Sequence, residues 1–169
     1  MPRKKPEPGV IPPPPSEPTS PCTVVNRLRL CLEPVEPCEN FPILSSGAMV
    51  QAITHLQICD AVQEQIWVMC IDTQGYLRGF AMLVQGQVDE ARISPADLLR
   101  VLVTYNVPRF IIVHNHPSGR PEPSSPDDAL TSRLVEVTKL AGFVMLDHLI
   151  LAGGAMSYFS YRDEGRMPS

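Results

Sequence analysis

The stretch His114-Asn115-His116-Pro117-Ser118-Gly119-Arg120-Pro121-Glu122-Pro123-Ser124-Ser125-Pro126-Asp127 decides how this chain is read. It follows Arg109 to Val113, a short apolar-cored run that reads as a buried strand. Side chains two apart on a strand share a face, so His114 and His116 can present two imidazole nitrogens to one ion. Zinc takes His and carboxylate ligands tetrahedrally, and a catalytic site keeps one position for water. A third ligand must come from elsewhere. Asp127 lies eleven residues past His116, at the start of the next helical pattern. Pro117, Pro121 and Pro123 stiffen the loop between, so a strand end and a helix start would hold three ligands on rigid elements. The same residues have a plainer reading. An H-x-H pair arises by chance at exposed strand ends, and Ser124 to Asp127, or Ser125 to Asp128, fits a helix cap. The two readings are compatible, because a capping loop is what would place Asp127.

Outward from this stretch, Ser45 to Ala61 reads as a helix capped by Ser45 or Ser46, with Met49, Ile53, Leu56 and Val62 roughly on one face. His55 lies within it and is assigned no role. Gln65 to Asp72 is β-rich, Thr73-Gln74-Gly75 is a turn and Tyr76 to Gln85 the return strand of a hairpin. Ser94 and Pro95 open a second helix whose buried face is Leu98, Leu99, Leu102 and Val103. Pro126 to Ala141 is a third, with Leu130, Leu134, Val137 and Leu140 at helix spacing and Gly142 as its stop. Val144 to Leu151 and Met156 to Tyr161 are two final strands around Gly153-Gly154. This order predicts an α/β domain with a mixed sheet covered by helices.

Twelve of the nineteen prolines fall in residues 1–42, which predicts a disordered or polyproline-type tail there. No apolar stretch follows the opening Met1-Pro2-Arg3-Lys4-Lys5, so it does not read as a secretory signal. The apolar runs are too short to span a bilayer. The five cysteines, Cys22, Cys31, Cys38, Cys59 and Cys70, include no C-x-x-C pair and are odd in number. Reduced thiols in a cytoplasmic protein are the simplest reading, with Cys70 a core residue. The net charge is −4, and residues 43–169 hold nine basic and thirteen acidic groups. That balance weighs against tight, non-specific DNA binding. No residue selects an oligomeric state.

His-x-His-Pro, six residues, then Ser-x-x-Asp resembles the JAMM (MPN/JAB) metalloprotease signature. Its finer form, with Thr131 and Leu146-Asp147-His148-Leu149-Ile150, is similar to the RadC branch of that superfamily. Upstream, Glu64, the strand ending Ile71-Asp72, Gly86 and then Pro95 match the family's layout. The resemblance covers roughly residues 45–160 and implies a domain over residues 43–162, with tails at 1–42 and 163–169. It implies a three-layer, cytidine-deaminase-like fold, a mixed central sheet flanked by helices. It also implies one zinc per chain on His114, His116 and Asp127, with an activated water as nucleophile. Glu64 would be the general base and Ser124 the donor to the oxyanion. Glu90 and Glu122 are the competitors for the base. Asp147-His148 has two readings, support behind the ligands or a purely structural pair. Two departures stand out. The branch usually has Gly-Thr and Pro-Arg-Glu where this chain has Gly86-Gln87 and Pro95-Ala96-Asp97. Members of the branch often carry an N-terminal helix-hairpin-helix region, and the proline-rich tail is expected to stand in its place here.

The function this implies is zinc-dependent hydrolysis of a peptide or isopeptide bond in a peptide or protein substrate. The alternatives are a non-catalytic interaction module and a DNA-repair-associated protein of the RadC type. No membrane partner is expected.

Overall fold

The computed structural model describes residues 42–58, 62–86, 93–155 and 157–168. The expected proline-rich tail lies outside them except for Pro42, which bridges to Tyr76. Glu90 and Gln87 also lie outside. The elements are α1 (Ser46–His55), β1 (Gln65–Ile71), β2 (Leu77–Gln85), α2 (Pro95–Tyr105), β3 (Arg109–His116), α3 (Ser125–Leu140), β4 (Val144–Ala152) and β5 (Ser157–Ser160). The strands form one five-stranded sheet in the order β2-β1-β3-β4-β5. Only β3 and β4 run parallel, since α3 carries the chain back between them. The mixed sheet flanked by three helices is the expected α/β class.

Each face of the sheet has its own apolar layer. Met69, Ile71, Ile111, Val113, Leu149 and Leu151 pack with Met49 and Ile53 of α1. Ile66, Val68, Cys70, Phe110 and Ile112 pack with Leu98 and Leu102 of α2 and Leu130 and Leu134 of α3. β3 is central and buried on both sides, which is why it reads as a continuous apolar run. Cys70 is part of this core, and burial pushes its thiol pKa up to about 12, so it is unreactive at neutral pH.

The helices are shorter or differently turned than the sequence suggests. α1 ends at His55 instead of continuing to Ala61, because Leu56 caps it and Gln57 turns to φ 53°. Val62 is 95% exposed and leaves the expected buried face. In α2, Leu98 and Leu102 are buried but Val103 is 66% exposed, and Val101 and Tyr105 pack instead. In α3, Leu140 is 85% exposed while Thr131 and Thr138 are buried. Each threonine satisfies its hydroxyl by donating to the carbonyl four residues back, at 2.6 Å and 2.7 Å, so polar side chains can face the sheet there. Among the described residues no helix is long and apolar enough to cross a membrane.

Leu134→Ala should cost about 2–5 kcal/mol, read as a lower urea midpoint at constant slope. Leu140→Ala, at the exposed end of the same helix, should shift the midpoint by less than about 0.5 kcal/mol.

Candidate metal centre

β3 delivers both histidines at its C-terminal end, beside the parallel strand β4, where His114 pairs with Ile150 and His116 with Ala152. This is the crevice at the carboxyl ends of parallel strands that α/β sheets use for ligands. His114 and His116 continue the alternation of Phe110 and Ile112 on the α3 side, while Asn115 continues that of Ile111 and Val113 on the α1 side. The chain then turns sharply at His116-Pro117-Ser118-Gly119, closed by Gly119 N–H donating to the His116 carbonyl at 3.1 Å. Gly119 has φ 78°, a conformation a side chain would strain.

α3 begins as the sequence suggested. Ser124 is its N-cap and forms a capping box with Asp127, whose Oδ2 accepts from Ser124 N at 2.7 Å and from Ser124 Oγ at 2.6 Å. The box leaves Asp127 Oδ1 toward the histidines. It lies 3.1 Å from His114 Nδ1, while Oδ2 lies 3.5 Å from His116 Nε2. Glu64, just before β1, enters from the other side, with Oε1 2.7 Å from His114 Nε2 and 3.9 Å from His116 Nε2. Ligand atoms of Glu64, His114 and His116 all lie within 4.8 Å of one another.

These residues suit a metal ion. His114 Nδ1 is buried 3.1 Å from Asp127 Oδ1 and has no hydrogen-bond partner among the described residues. His116 Nδ1 lies 2.9 Å from the Arg120 carbonyl, which can only accept. Nδ1 therefore carries the hydrogen and Nε2 is the nitrogen turned to the carboxylates, as for a metal-ligating histidine. Burial opposes ionisation of Asp127. The contacts from His114 and His116 and the bonds from Ser124 outweigh it and hold the carboxyl well below the usual range. The Asp127 contact in turn raises the His116 pKa. The same negative charge would favour a cation held between the rings, with His116 neutral.

The Asp147-His148 pair divides in two. Asp147 accepts from Ser160 Oγ at 2.6 Å and from Arg162 N at 3.0 Å, tying β4 to the turn after β5. His148 backs the site. Thr131 Oγ1 donates to the Asp127 carbonyl at 2.6 Å and accepts from His148 Nδ1 at 2.7 Å. The His148 ring lies between His114 and Tyr161, with centroids 6.0 Å and 5.0 Å away. Tyr161 is anchored by its hydroxyl on Asp128 at 2.8 Å, and Arg166 grips the same carboxylate through both oxygens. The sequence pointed to neither Tyr161 nor Arg166, because only folding joins them to α3. Glu122 is exposed on the loop.

Burial lowers the His148 pKa to about 3. An unfolded histidine titrates at ~6.5. The stability from keeping His148 neutral is therefore complete above ~6.5 and is lost as pH falls towards about 3. In that window unfolding takes up one proton, or about 1.4 kcal/mol per pH unit. His148→Gln should flatten this part of the stability–pH curve, measured by urea unfolding at several pH values.

The family model for the RadC-like JAB domain matches residues 44–166. Among curated relatives, a UPF0758 protein of Thermotoga maritima is 37% identical over 105 residues, 62% of this chain and 46% of the relative. One from Streptococcus gordonii is 32% identical over 133 residues, 77% of this chain and 58% of the relative. One from Latilactobacillus sakei is 33% identical over 125 residues, 74% and 55% of the two chains. The chain thus spans about half the length of these relatives. With the site's residues inside the matched region, the chain belongs to the RadC-like JAB domain family.

Proposed function

We propose that this chain is a zinc-dependent hydrolase of peptide or isopeptide bonds. The observation that carries the reading is the clustering of Glu64, His114 and His116, with Asp127 against both rings, where Glu64 and His116 line an open cleft. The cleft, about 560 Å³, is lined by Gln63, Glu64, Gly86, His116, Ser118 and Ser124. A second, of about 300 Å³, lies on the other flank of His116 against Leu151, Ala152, Gly153 and Gly154. An extended substrate crossing His116 would have a group in each.

His114, His116 and Asp127 would hold the zinc, one per chain. When bound, zinc acidifies a water towards neutral pH and polarises the amide carbonyl. Glu64 Oε1 takes a proton from the attacking water and returns it to the leaving nitrogen as the C–N bond breaks. Ser124 Oγ now donates to Asp127; in the reaction it would turn to the amide oxygen. Glu64 Oε1 lies 2.7 Å from His114 Nε2, so the Glu64→Gln variant separates the proton carrier from a ligand.

Purified chain should hold about one zinc, and His116→Ala or Asp127→Ala should lose it, by elemental mass spectrometry. Glu64→Gln should keep the zinc and lose at least about 100-fold in turnover of peptide or ubiquitin-like conjugates. Loss of zinc in Glu64→Gln would make Glu64 a ligand. Full turnover would move the base elsewhere.

A DNA-associated role is a separate reading. With four more acidic than basic groups in residues 43–169, duplex DNA should not be retarded even at low salt. A salt-sensitive mobility shift would favour that reading instead.

A further inference from the structure

We propose that Asn115 is the positioning residue for Glu64, fixing the backbone on both sides of it. The proposal rests on the reading of Glu64 as proton carrier. Glu64 lies just outside β1, beyond the last paired residue of that strand. The Asn115 side chain bonds the backbone on both sides of it. Its Oδ1 accepts from Gln65 N at 2.7 Å, and its Nδ2 donates to the Gln63 carbonyl at 3.0 Å. The Glu64 carbonyl itself accepts from Gly86 N at 2.9 Å. Three consecutive residues are thus pinned, two of them by one amide that is 5% exposed.

The residue type suits this task. An amide carries both an acceptor and donors on one short arm. An aspartate at position 115 would keep the acceptor for Gln65 N–H but have no donor for the Gln63 carbonyl. A glutamine would overshoot by one methylene. The position matters equally. Asn115 stands between His114 and His116 but faces the opposite side of the sheet, so one tripeptide sets both the ring nitrogens and the segment bearing Glu64. A side chain that sets this distance can change a rate without touching the reacting atoms, since a small misplacement is amplified in the barrier.

The test uses the full chain. Asn115→Ala should keep its zinc and lower kcat on the order of 10- to 100-fold with KM little changed. In a Glu64→Gln background the same substitution should lower kcat no further. Without reference to turnover, hydrogen exchange at the Gln65 amide should accelerate. The His114 ring ¹⁵N resonances should also move in the direction they move in Glu64→Gln. Asn115→Asp should fall between parent and Asn115→Ala, and it carries the same readouts if the alanine variant fails to fold. Parent-level kcat with unchanged Gln65 exchange and His114 resonances would overturn the proposal. So would an equal loss of kcat with and without Glu64, which would mean that Asn115 acts through the strand alone. If the parent hydrolyses no amide, the hydrolase reading falls by itself, and the exchange and resonance measurements still decide the role of Asn115.

Discussion

Strand β3 lies between β1 and β4 and is buried on both faces, so each of its side chains must enter one of two packed layers. Phe110 and Ile112 go to the α3 side, Ile111 and Val113 to the α1 side. This alternation continues past the apolar run, where His114 and His116 take the α3 side and Asn115 the α1 side. A slip of one residue in the β1–β3 register would send Asn115 into the centre and the histidines into the layer of Met49 and Ile53. The geometry of the candidate metal centre therefore depends on core packing several residues away, where no site residue is present.

Asp127 shows how one side chain meets two demands without conflict. As N3 of α3 it receives the Ser124 amide on Oδ2, an interaction any helix start needs. That bond aims Oδ1 at His114. The helix is held from below by the chain Asp127 carbonyl, Thr131 hydroxyl and His148 ring. From the side it is held by Tyr161 and Arg166 on Asp128. The carboxylate is thus placed by ordinary helix-capping and packing forces, which leave it little freedom to relax away from the rings. That rigidity is what lets its charge act on His116 at short range.

Much of the fold was legible in the sequence for reasons tied to particular residues. Pro95 and Pro126 each mark a first helical turn, Gly142 with φ 83° marks a helix end, and Gly75 at φ 90° lies in the β1–β2 turn. These are backbone constraints carried by single side chains, so they survive any tertiary context. Helix faces were less legible. Leu140 and Val103 fit the apolar period but point outward, because periodicity gives a stripe and not its angle to the sheet. Thr131 and Thr138 interrupt the apolar period yet face inward, because each hides its hydroxyl within its own helix.

Local chemistry in the sequence determined which residues were available to the site: two imidazoles two apart on a strand, and a capped aspartate after a stiff loop. These follow from the period of a strand and the needs of a helix terminus, both short-range. Only the tertiary structure decided that Glu64 reaches His114, that His148 lies between His114 and Tyr161, and that Asn115 pins the residues on either side of Glu64. Those contacts join positions up to fifty-two residues apart through sheet order and register. Sheet order comes from how all the apolar faces pack at once, and no single stretch of sequence contains that information.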